Sequence, residues 1–211
     1  MQQAAPVLEA LHFISDLDRF YQEIVRIERN TRIYDELYCG DKSYEILTEF
    51  APEVFAVMQK ALNDEIILSL SKAFDGMGMK NFEYLSQRNL TGRYMDFISP
   101  ELTALRDRTT NVWKELNIRD YRNTILAHND RKTLIGESEA PKHSVETAKV
   151  LELLIASRSY ISGIKINVFG GQQSVSIPVN PNVNYQGYGS QFVNKLENCN
   201  KSLQRNANAS V

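Results

Sequence analysis

The fold is decided by the apolar run Ile66-Ile-Leu-Ser-Leu70, which lies inside a longer helical pattern. This pattern begins at Pro52, a residue well suited to the first turn of a helix, and continues to Phe74, where Asp75-Gly76 follows. A helix that is apolar on nearly all sides must be covered by neighbouring elements. The run therefore predicts a central helix in a domain of packed helices.

Three further amphipathic patterns supply those neighbours. Apolar residues recur every three or four positions in residues 17–38, 102–116 and 150–161. Ser99-Pro100 is a typical N-terminal signature for the second of these helices, residues 102–116. Asn117 is expected to interrupt this helix. Long apolar stripes need one another for burial, so we predict an all-α fold, an antiparallel bundle of four to five helices over residues 8–163.

The pattern changes after Gly163, where the last helix of the bundle is predicted to end. Residues 164–168 and 175–179 alternate between apolar and polar positions, which is typical of the two strands of a small hairpin. Phe192, Leu196, Cys199 and Leu203 favour one short terminal helix. We therefore expect residues 164–211 to form an irregular or hairpin-containing extension of unknown role, partly disordered.

The composition fits a globular protein without a uniformly charged surface. Of the 211 residues, 43% are hydrophobic and 24% are charged, and the net charge is −2. This charge argues against a coat of positive potential, although residues 106–132 carry seven basic and four acidic side chains. No apolar run is long enough to span a membrane and Met1–Pro6 lacks the features of a signal peptide, so a cytoplasmic location is expected.

Several common binding sites are excluded by the spacing of their residues. Cys39 and Cys199 lie far apart without a partner at metal-ligand spacing, so no metal site and no cofactor is predicted. The glycine-rich loops that bind phosphates in the commonest nucleotide-binding folds do not occur.

The polar cluster best suited to chemistry lies in Tyr121-Arg-Asn-Thr-Ile-Leu-Ala-His128. His128 is the one histidine among three that has plausible catalytic residue types around it, and histidine donates and accepts protons near neutral pH. Arg122 keeps its charge and presents a fork of donors to a phosphate. Such a pair suits cleavage of RNA, in which the deprotonated 2′-hydroxyl is an internal nucleophile and no metal is required.

Helix geometry limits how these two residues act together. Six residues advance an ideal helix by about 240° and 9 Å, so Arg122 and His128 do not share a face. This favours either His128 at a frayed helix end or a site completed across a dimer axis. Structural roles are open alternatives: Arg122 in an ion pair with Asp120, Asp130 or an acidic residue of a neighbouring helix, and His128 bonded to last-turn carbonyls.

Two other features are interpreted as structural. The charged residues of the central helix are expected to form ion pairs within the bundle; they are Asp64, Glu65, Lys72 and Asp75. Trp113 follows an apolar stripe and is expected in the core or a dimer interface rather than as a platform for a nucleic-acid base.

At Arg122 to Asp130 the sequence resembles the HEPN superfamily, the higher eukaryote and prokaryote nucleotide-binding domains. Arg122, five intervening residues and His128 match the Arg-x4–6-His motif of that superfamily. The chain is most similar to the abortive-infection, AbiU-type branch, in which a helix like Leu68-Ser-Leu-Ser-Lys-Ala-Phe-Asp75 precedes the motif. The resemblance covers roughly residues 17–164.

The resemblance implies a helical homodimer that is, in active members, a metal-independent endoribonuclease of toxin–antitoxin or phage-defence systems. Carried over to this chain, Arg122 would stabilise the scissile phosphate and His128 would be the acid/base. Asn123 and Asp130 would support them.

The expected partners follow from the same resemblance. RNA is the expected substrate, and the basic residues nearest the motif are expected to contact it: Arg119, Arg131 and Lys132. A second copy of the chain and an antitoxin or other protein are expected partners, and a membrane is not. The alternative is a non-catalytic HEPN-like helical dimer that binds a nucleotide, a nucleic acid or a partner protein through the same cleft.

Overall fold

The computed structural model describes residues 4–76, 83–127, 146–168 and 187–209. About 90% of these residues are helical, and no strand occurs among them. The predicted all-α fold is therefore confirmed. Within the same ranges, no helix combines the length and the apolar character that crossing a membrane would need.

Five long helices and three short ones make up the described residues. In chain order they are α1 (Ala4–Tyr38), α2 (Asp41–Phe50), α3 (Pro52–Phe74), α4 (Gln87–Arg93), α5 (Pro100–Leu116), α6 (Ile118–Tyr121), α7 (Thr147–Val168) and α8 (Tyr188–Ala209). A 3-10 turn, Met95–Phe97, precedes α5, and a π-helical turn, Arg122–Ala127, follows α6 directly.

Local sequence explains both ends of α5. The Ser99 hydroxyl accepts a hydrogen bond from the Leu102 amide (3.3 Å), and Pro100 occupies the first turn. Asn117 ends the helix in the left-handed conformation, with a φ of 49°, which its short polar side chain tolerates. Both boundaries agree with the sequence prediction.

The chain divides into two compact units. Unit 1 contains Met1–Glu28 and Ile67–Val179, and unit 2 contains Arg29–Ile66 and Asn180–Val211. The long helices α1 and α3 each contribute one part of their length to unit 1 and the other part to unit 2. Arg122 belongs to unit 1.

Unit 1 has an apolar core supplied by its long helices. Buried side chains from α1, α3, α5 and α7 include Leu17, Phe20, Ile67, Leu70, Leu116, Leu154 and Tyr160. α5 packs along α7. A methyl group at Gly163 would collide with Leu102 Cδ2, so the missing side chain allows the two helices to approach closely. Because α7 runs from Thr147 to Val168, Gly163 lies inside it, and the prediction that Gly163 ends the helix is wrong.

A buried polar chain fixes α4 against α5 and α7. The Ser157 hydroxyl donates to Gln87 Oε1 (2.7 Å), and Gln87 Nε2 donates to Thr109 Oγ1 (2.5 Å). Thr109 in turn donates to the Arg106 carbonyl (2.7 Å). Buried polar groups that are joined in this way hold their elements in one arrangement.

α7 continues to Val168, beyond its predicted end. The alternation of residues 164–168 predicts a strand, and this prediction is wrong because Ile164 and Lys165 are buried in unit 1 as parts of a helix. The Lys165 ammonium forms an ion pair with Asp18 of α1, which makes burial of the lysine tolerable. The second predicted strand, residues 175–179, lies outside the described residues.

Unit 2 is completed by α8. Its buried cluster consists of Leu37, Leu47, Phe55 and Val193. At the first turn of α8, the Glu36 carboxylate accepts hydrogen bonds from the amides of Gly187 (2.6 Å), Gly189 (2.8 Å) and Ser190 (3.2 Å). An anion at this end is favourable because the helix dipole is positive there. α8 is longer than the short terminal helix that the sequence predicts, and α2 is not predicted.

Candidate functional site

Arg122 occupies the first position of the π turn, and two neighbours hold its guanidinium. Its Nη1 donates to Asp75, and its Nε and Nη2 both donate to Asn123 Oδ1, the Nε bond being 3.0 Å long. The Arg122 side chain remains 24% exposed. An arginine has five N–H donors. Three are used in these contacts, so two have no acceptor among the described residues and are open to a ligand.

Asp75 joins two segments that are distant in the sequence. It follows the last residue of α3, and its amide donates to the Ser71 carbonyl (2.9 Å) at the end of that helix. Its carboxylate is 13% exposed and lies 3.4 Å from Arg119 Nε through Oδ1, while Oδ2 accepts from Arg122. One of the structural alternatives for Arg122 is an ion pair with an acidic residue of a neighbouring helix, and Asp75, at the end of α3, is such a residue.

The backbone at Arg122 departs from regular helix geometry. Residues 122–127 form a π turn, in which each amide bonds to the carbonyl five residues earlier instead of four. Such turns are rare and occur frequently at functional sites. The 240° estimate for a regular helix therefore does not apply to the residues that follow Arg122.

Arg122 lines an open cleft of about 1070 Å³ in unit 1. The cleft is walled by α1, the last turns of α3, the start of α4 and the segment from α6 to the π turn. Its charged lining consists of five basic side chains, Arg19, Lys72, Arg88, Arg119 and Arg122, and two acidic ones, Glu23 and Asp75.

Ion pairs neutralise both acidic side chains of the cleft. Arg26 forms two hydrogen bonds with Glu23, at 2.9 Å from Nε and 2.7 Å from Nη2. Asp75 has Arg119 and Arg122. Within the part of the chain that the structure describes, Arg19, Lys72 and Arg88 have no carboxylate partner and are exposed. The cleft is therefore positively charged, which suits a polyanion.

Ser71 adds to this lining a polar group that has no partner among the described residues. Its side chain is 2% exposed, and Oγ makes no hydrogen bond to any described residue. Two positions earlier on α3, the similarly buried Ser69 accepts a hydrogen bond from Arg26 Nη2 (2.7 Å). A buried hydroxyl without a partner costs stability and calls for a ligand or water.

The remaining predicted site residues are only partly within reach. Arg119 lines the cleft and its side chain is 66% exposed. His128, Asp130, Arg131 and Lys132 lie outside the described residues, so their roles stay predictions. No group of three or more His, Cys, Asp or Glu side chains in the described ranges is arranged to hold a metal ion.

Three basic residues of the cleft are missing from the sequence-based site: Arg19, Lys72 and Arg88. Lys72 precedes Asp75 by three positions, a spacing that places both on one side of a helix, and this signal was available in the sequence. Arg19 and Arg88 belong to other helices, and only the tertiary fold brings them to the cleft.

The helical fold and the Arg122 motif at a cationic cleft define a HEPN-type protein. The family model HEPN_AbiU2, described as AbiU2, matches residues 11–187, and the chain therefore belongs to the AbiU2 family of HEPN proteins. This membership indicates an abortive-infection, HEPN-type role. No curated protein and no solved structure matches the chain significantly.

Proposed function

We propose that this protein is a metal-independent endoribonuclease that acts as a toxin or phage-defence effector by abortive infection. The observation that carries the proposal is the cationic cleft with the Arg122 guanidinium at its wall, held by Asp75 and Asn123, with two N–H donors that no described residue accepts. Membership in the AbiU2 family supports the same role.

In the proposed reaction, His128 removes the proton from a ribose 2′-hydroxyl. The 2′-oxygen attacks the adjacent phosphorus, the bond from phosphorus to the 5′-oxygen breaks, and the leaving 5′-oxygen takes up a proton. The products are a 2′,3′-cyclic phosphate and a 5′-hydroxyl. Arg122 stabilises the negative charge that develops on the phosphate oxygens, a task for which a pre-oriented guanidinium is suited.

The charge of the cleft supports RNA as the substrate. Arg19, Lys72 and Arg88 present positive charge that no described carboxylate neutralises. Phosphate contacts of this kind give most of the affinity for nucleic acids and make it dependent on salt. A protein of net charge −2 would thus attract RNA at this cleft and not over its whole surface.

We propose a homodimer as the active form, with an interface that includes the segment ending at His128. The composite site would allow the histidine of one copy to serve the arginine of the other. Sedimentation that shows only monomer at micromolar concentration, with activity proportional to concentration, would contradict this part of the proposal. An antitoxin that covers the cleft is the partner expected in the cell.

The test is incubation of the purified protein with total RNA in EDTA. Wild type should release fragments that end in 2′,3′-cyclic phosphates. His128→Ala should slow cleavage by about 10²–10⁴ and Arg122→Ala by about 10²–10³. His143→Ala is the matched control, since it removes a histidine outside the motif, and it should cleave normally.

Activity must be compared per folded molecule, because Arg122 also forms an ion pair. A folded wild type that binds RNA but leaves it intact, with and without added metal, would replace the nuclease by a non-catalytic binding module. Cleavage that persists in folded His128→Ala would show that another residue is the acid/base.

A further inference from the structure

A second cavity adjoins the cleft in unit 1 and has a different lining. This cavity, the Trp113 pocket, has a volume of about 470 Å³, within the size range of sites for small ligands. It shares Asp75, Arg88 and Arg119 with the cleft. The two cavities therefore meet along one border, and that border carries two arginines.

The wall of the Trp113 pocket is aromatic. Trp113 is only partly buried, and its ring centroid lies 5.7 Å from that of Phe74 with an interplanar angle of 31°. Phe74 directly precedes Asp75, so the aromatic pair is tied to the residue that holds Arg122. Trp113, expected in the core or a dimer interface, is thus partly buried within the described residues and also lines an open cavity.

Hydrogen bonds connect two polar residues of the inner lining of the pocket to neighbouring helices. Gln87 and Thr109 line it and belong to the buried hydrogen-bond chain with Ser157, in which the Gln87 amide uses both its oxygen and its nitrogen. Because these two side chains already bond to protein groups, they are less available to a ligand. Recognition in the pocket is therefore expected to come from stacking and charge.

The rim of the pocket is basic. Arg88 and Lys114 are exposed, and their side chains form no ion pair with a described residue. Arg106 also lines the pocket but is paired with Asp107 (2.8 Å). An aromatic wall beside unpaired cations is the combination that binds single-stranded nucleic acids, in which bases stack and phosphates meet positive charge.

We propose that the Trp113 pocket receives one unpaired base of a single-stranded RNA whose phosphates follow the cleft. The base stacks against the Trp113 indole, and Arg88 and Arg119, on the shared border, bind the phosphate that connects this nucleotide to the one at Arg122. A base within a duplex is paired and stacked and cannot enter, so the pocket selects single strands. The proposal rests on RNA as the substrate of the proposed function, but it does not require cleavage.

The chain offers a direct readout, because Trp113 is its single tryptophan. Wild-type protein is titrated with a 5′-labelled 2′-O-methyl oligonucleotide of about twelve residues, which resists attack by the 2′-oxygen. Tryptophan emission should be quenched in parallel with the anisotropy of the label. Two controls should leave the tryptophan emission unchanged. One is an abasic single strand of equal length, and the other is the base-bearing sequence paired in a duplex. Equal quenching by the abasic strand, or full binding without quenching, would overturn the proposal.

Variants measure the contribution of the stacking. Trp113→Leu should bind the base-bearing strand about 5- to 150-fold more weakly, the range found for loss of one base-aromatic stack, and the abasic strand as tightly as wild type. Arg88→Ala should weaken binding of both strands. A folded Trp113→Leu protein that binds the base-bearing strand like wild type would refute the pocket. If this variant does not fold, Trp113→Phe and the wild-type titration decide.

The same titrations separate this proposal from the nuclease. Base-dependent quenching by a protein that never cleaves RNA would reject the ribonuclease proposal and support the base-binding pocket. Cleavage without base-dependent quenching would support the ribonuclease and reject the pocket. Free adenosine monophosphate distinguishes a strand from a mononucleotide: if it quenches Trp113 at the concentrations at which the oligonucleotide does, the pocket is a mononucleotide site and the strand proposal fails.

Discussion

The Asp75 carboxylate accepts a hydrogen bond from the Arg122 guanidinium, across 47 positions of the sequence. Asp75 marks the end of α3, and Arg122 begins the π turn after α6. The contact therefore connects the two segments that carry the resemblance to the AbiU-type branch. It gives Asp75 a positioning role, since it acts on a ligand only through Arg122.

We expect Asp75 and Arg122 to be energetically coupled. Each single change to alanine should lower the free energy of unfolding by an amount between the roughly 1 kcal/mol of an exposed ion pair and the roughly 3–5 kcal/mol of a buried one, because both side chains are partly exposed. The double variant should lose less than the sum of the two, measured by urea denaturation. Strict additivity would mean that the pair contributes nothing.

Asp75→Asn separates positioning from binding. It removes a negative charge from the cleft, so RNA should bind at least as tightly as to wild type, whereas the turnover rate should fall because the guanidinium loses its anchor. Single-turnover cleavage gives the rate, and fluorescence anisotropy on the same preparations gives the affinity for RNA. Weaker binding together with unchanged turnover would contradict a positioning role.

The cations of the cleft should determine the salt dependence of RNA binding. Arg19→Ala, Lys72→Ala and Arg88→Ala should each lower the slope of log affinity against log salt, by about 0.7 for each phosphate of a single strand that the variant no longer neutralises. Arg108→Ala is the matched control: it removes the same charge from an exposed residue that is paired with Glu152 (2.9 Å) and lines neither cavity. Equal effects in all four variants would indicate attraction by net charge rather than by the cleft.

Ser69 and Ser71 form a matched pair on α3. Ser69→Ala removes the acceptor of Arg26 and should cost about 1 kcal/mol or more of stability. Ser71→Ala removes a hydroxyl that has no partner among the described residues and should leave the stability unchanged or raise it, since alanine is the better helix former. If Ser71 serves a ligand in the cleft, the same variant should bind RNA several-fold more weakly. A loss of stability as large as that of Ser69→Ala would show that Ser71 has a structural partner.

Stability should fall at high pH through buried tyrosines. Burial raises the pKa of Tyr94 from its ordinary value near 10 to about 12, with a further contribution from the nearby Asp16 carboxylate. The folded state holds the phenolic proton more tightly than the unfolded chain does. The stabilisation is therefore complete below about pH 10 and is lost as the pH rises from about 10 to about 12, by about 2–3 kcal/mol.

Tyr94→Phe should remove this part of the pH dependence. Its free energy of unfolding, measured by denaturation between pH 9 and 12, should decline less steeply than that of wild type. Burial also raises the pKa of Tyr160, so a smaller decline in the same direction should persist in the variant. Parallel curves for the two proteins would mean that Tyr94 does not contribute.

The helices that the sequence predicts well are those with strong local signals. α3 begins at Pro52 and ends at Phe74 as predicted, because a proline start and an Asp-Gly stop are local features. α2 escapes prediction because it is only ten residues long and has a single buried residue, Leu47. At the end of α7 the alternation of residues 164–168 is misleading, since the ion pair of Lys165 with Asp18 allows a charged residue to be buried.

The candidate site is predictable only to the extent that it is local. Arg122 and Asn123 are adjacent in the sequence and in contact in the structure. Asp75 is part of the sequence resemblance, but its pairing with Arg122 depends on how α3 meets the segment after α6. The cleft and the Trp113 pocket arise from side chains of several helices, and no pattern within one helix indicates the distance between two of them.

The π turn has a consequence for the length of the motif. A helix takes up one inserted residue by winding more widely at a single turn, and it continues without a break. Here this wider winding spans Arg122–Ala127, the stretch between the arginine and the histidine. Asp75 and Asn123 hold the Arg122 guanidinium by hydrogen bonds at the beginning of that stretch. The segment between the arginine and the histidine can therefore gain or lose a residue without moving the guanidinium. A motif of variable length is therefore compatible with the same position of the arginine in the wall of the cleft.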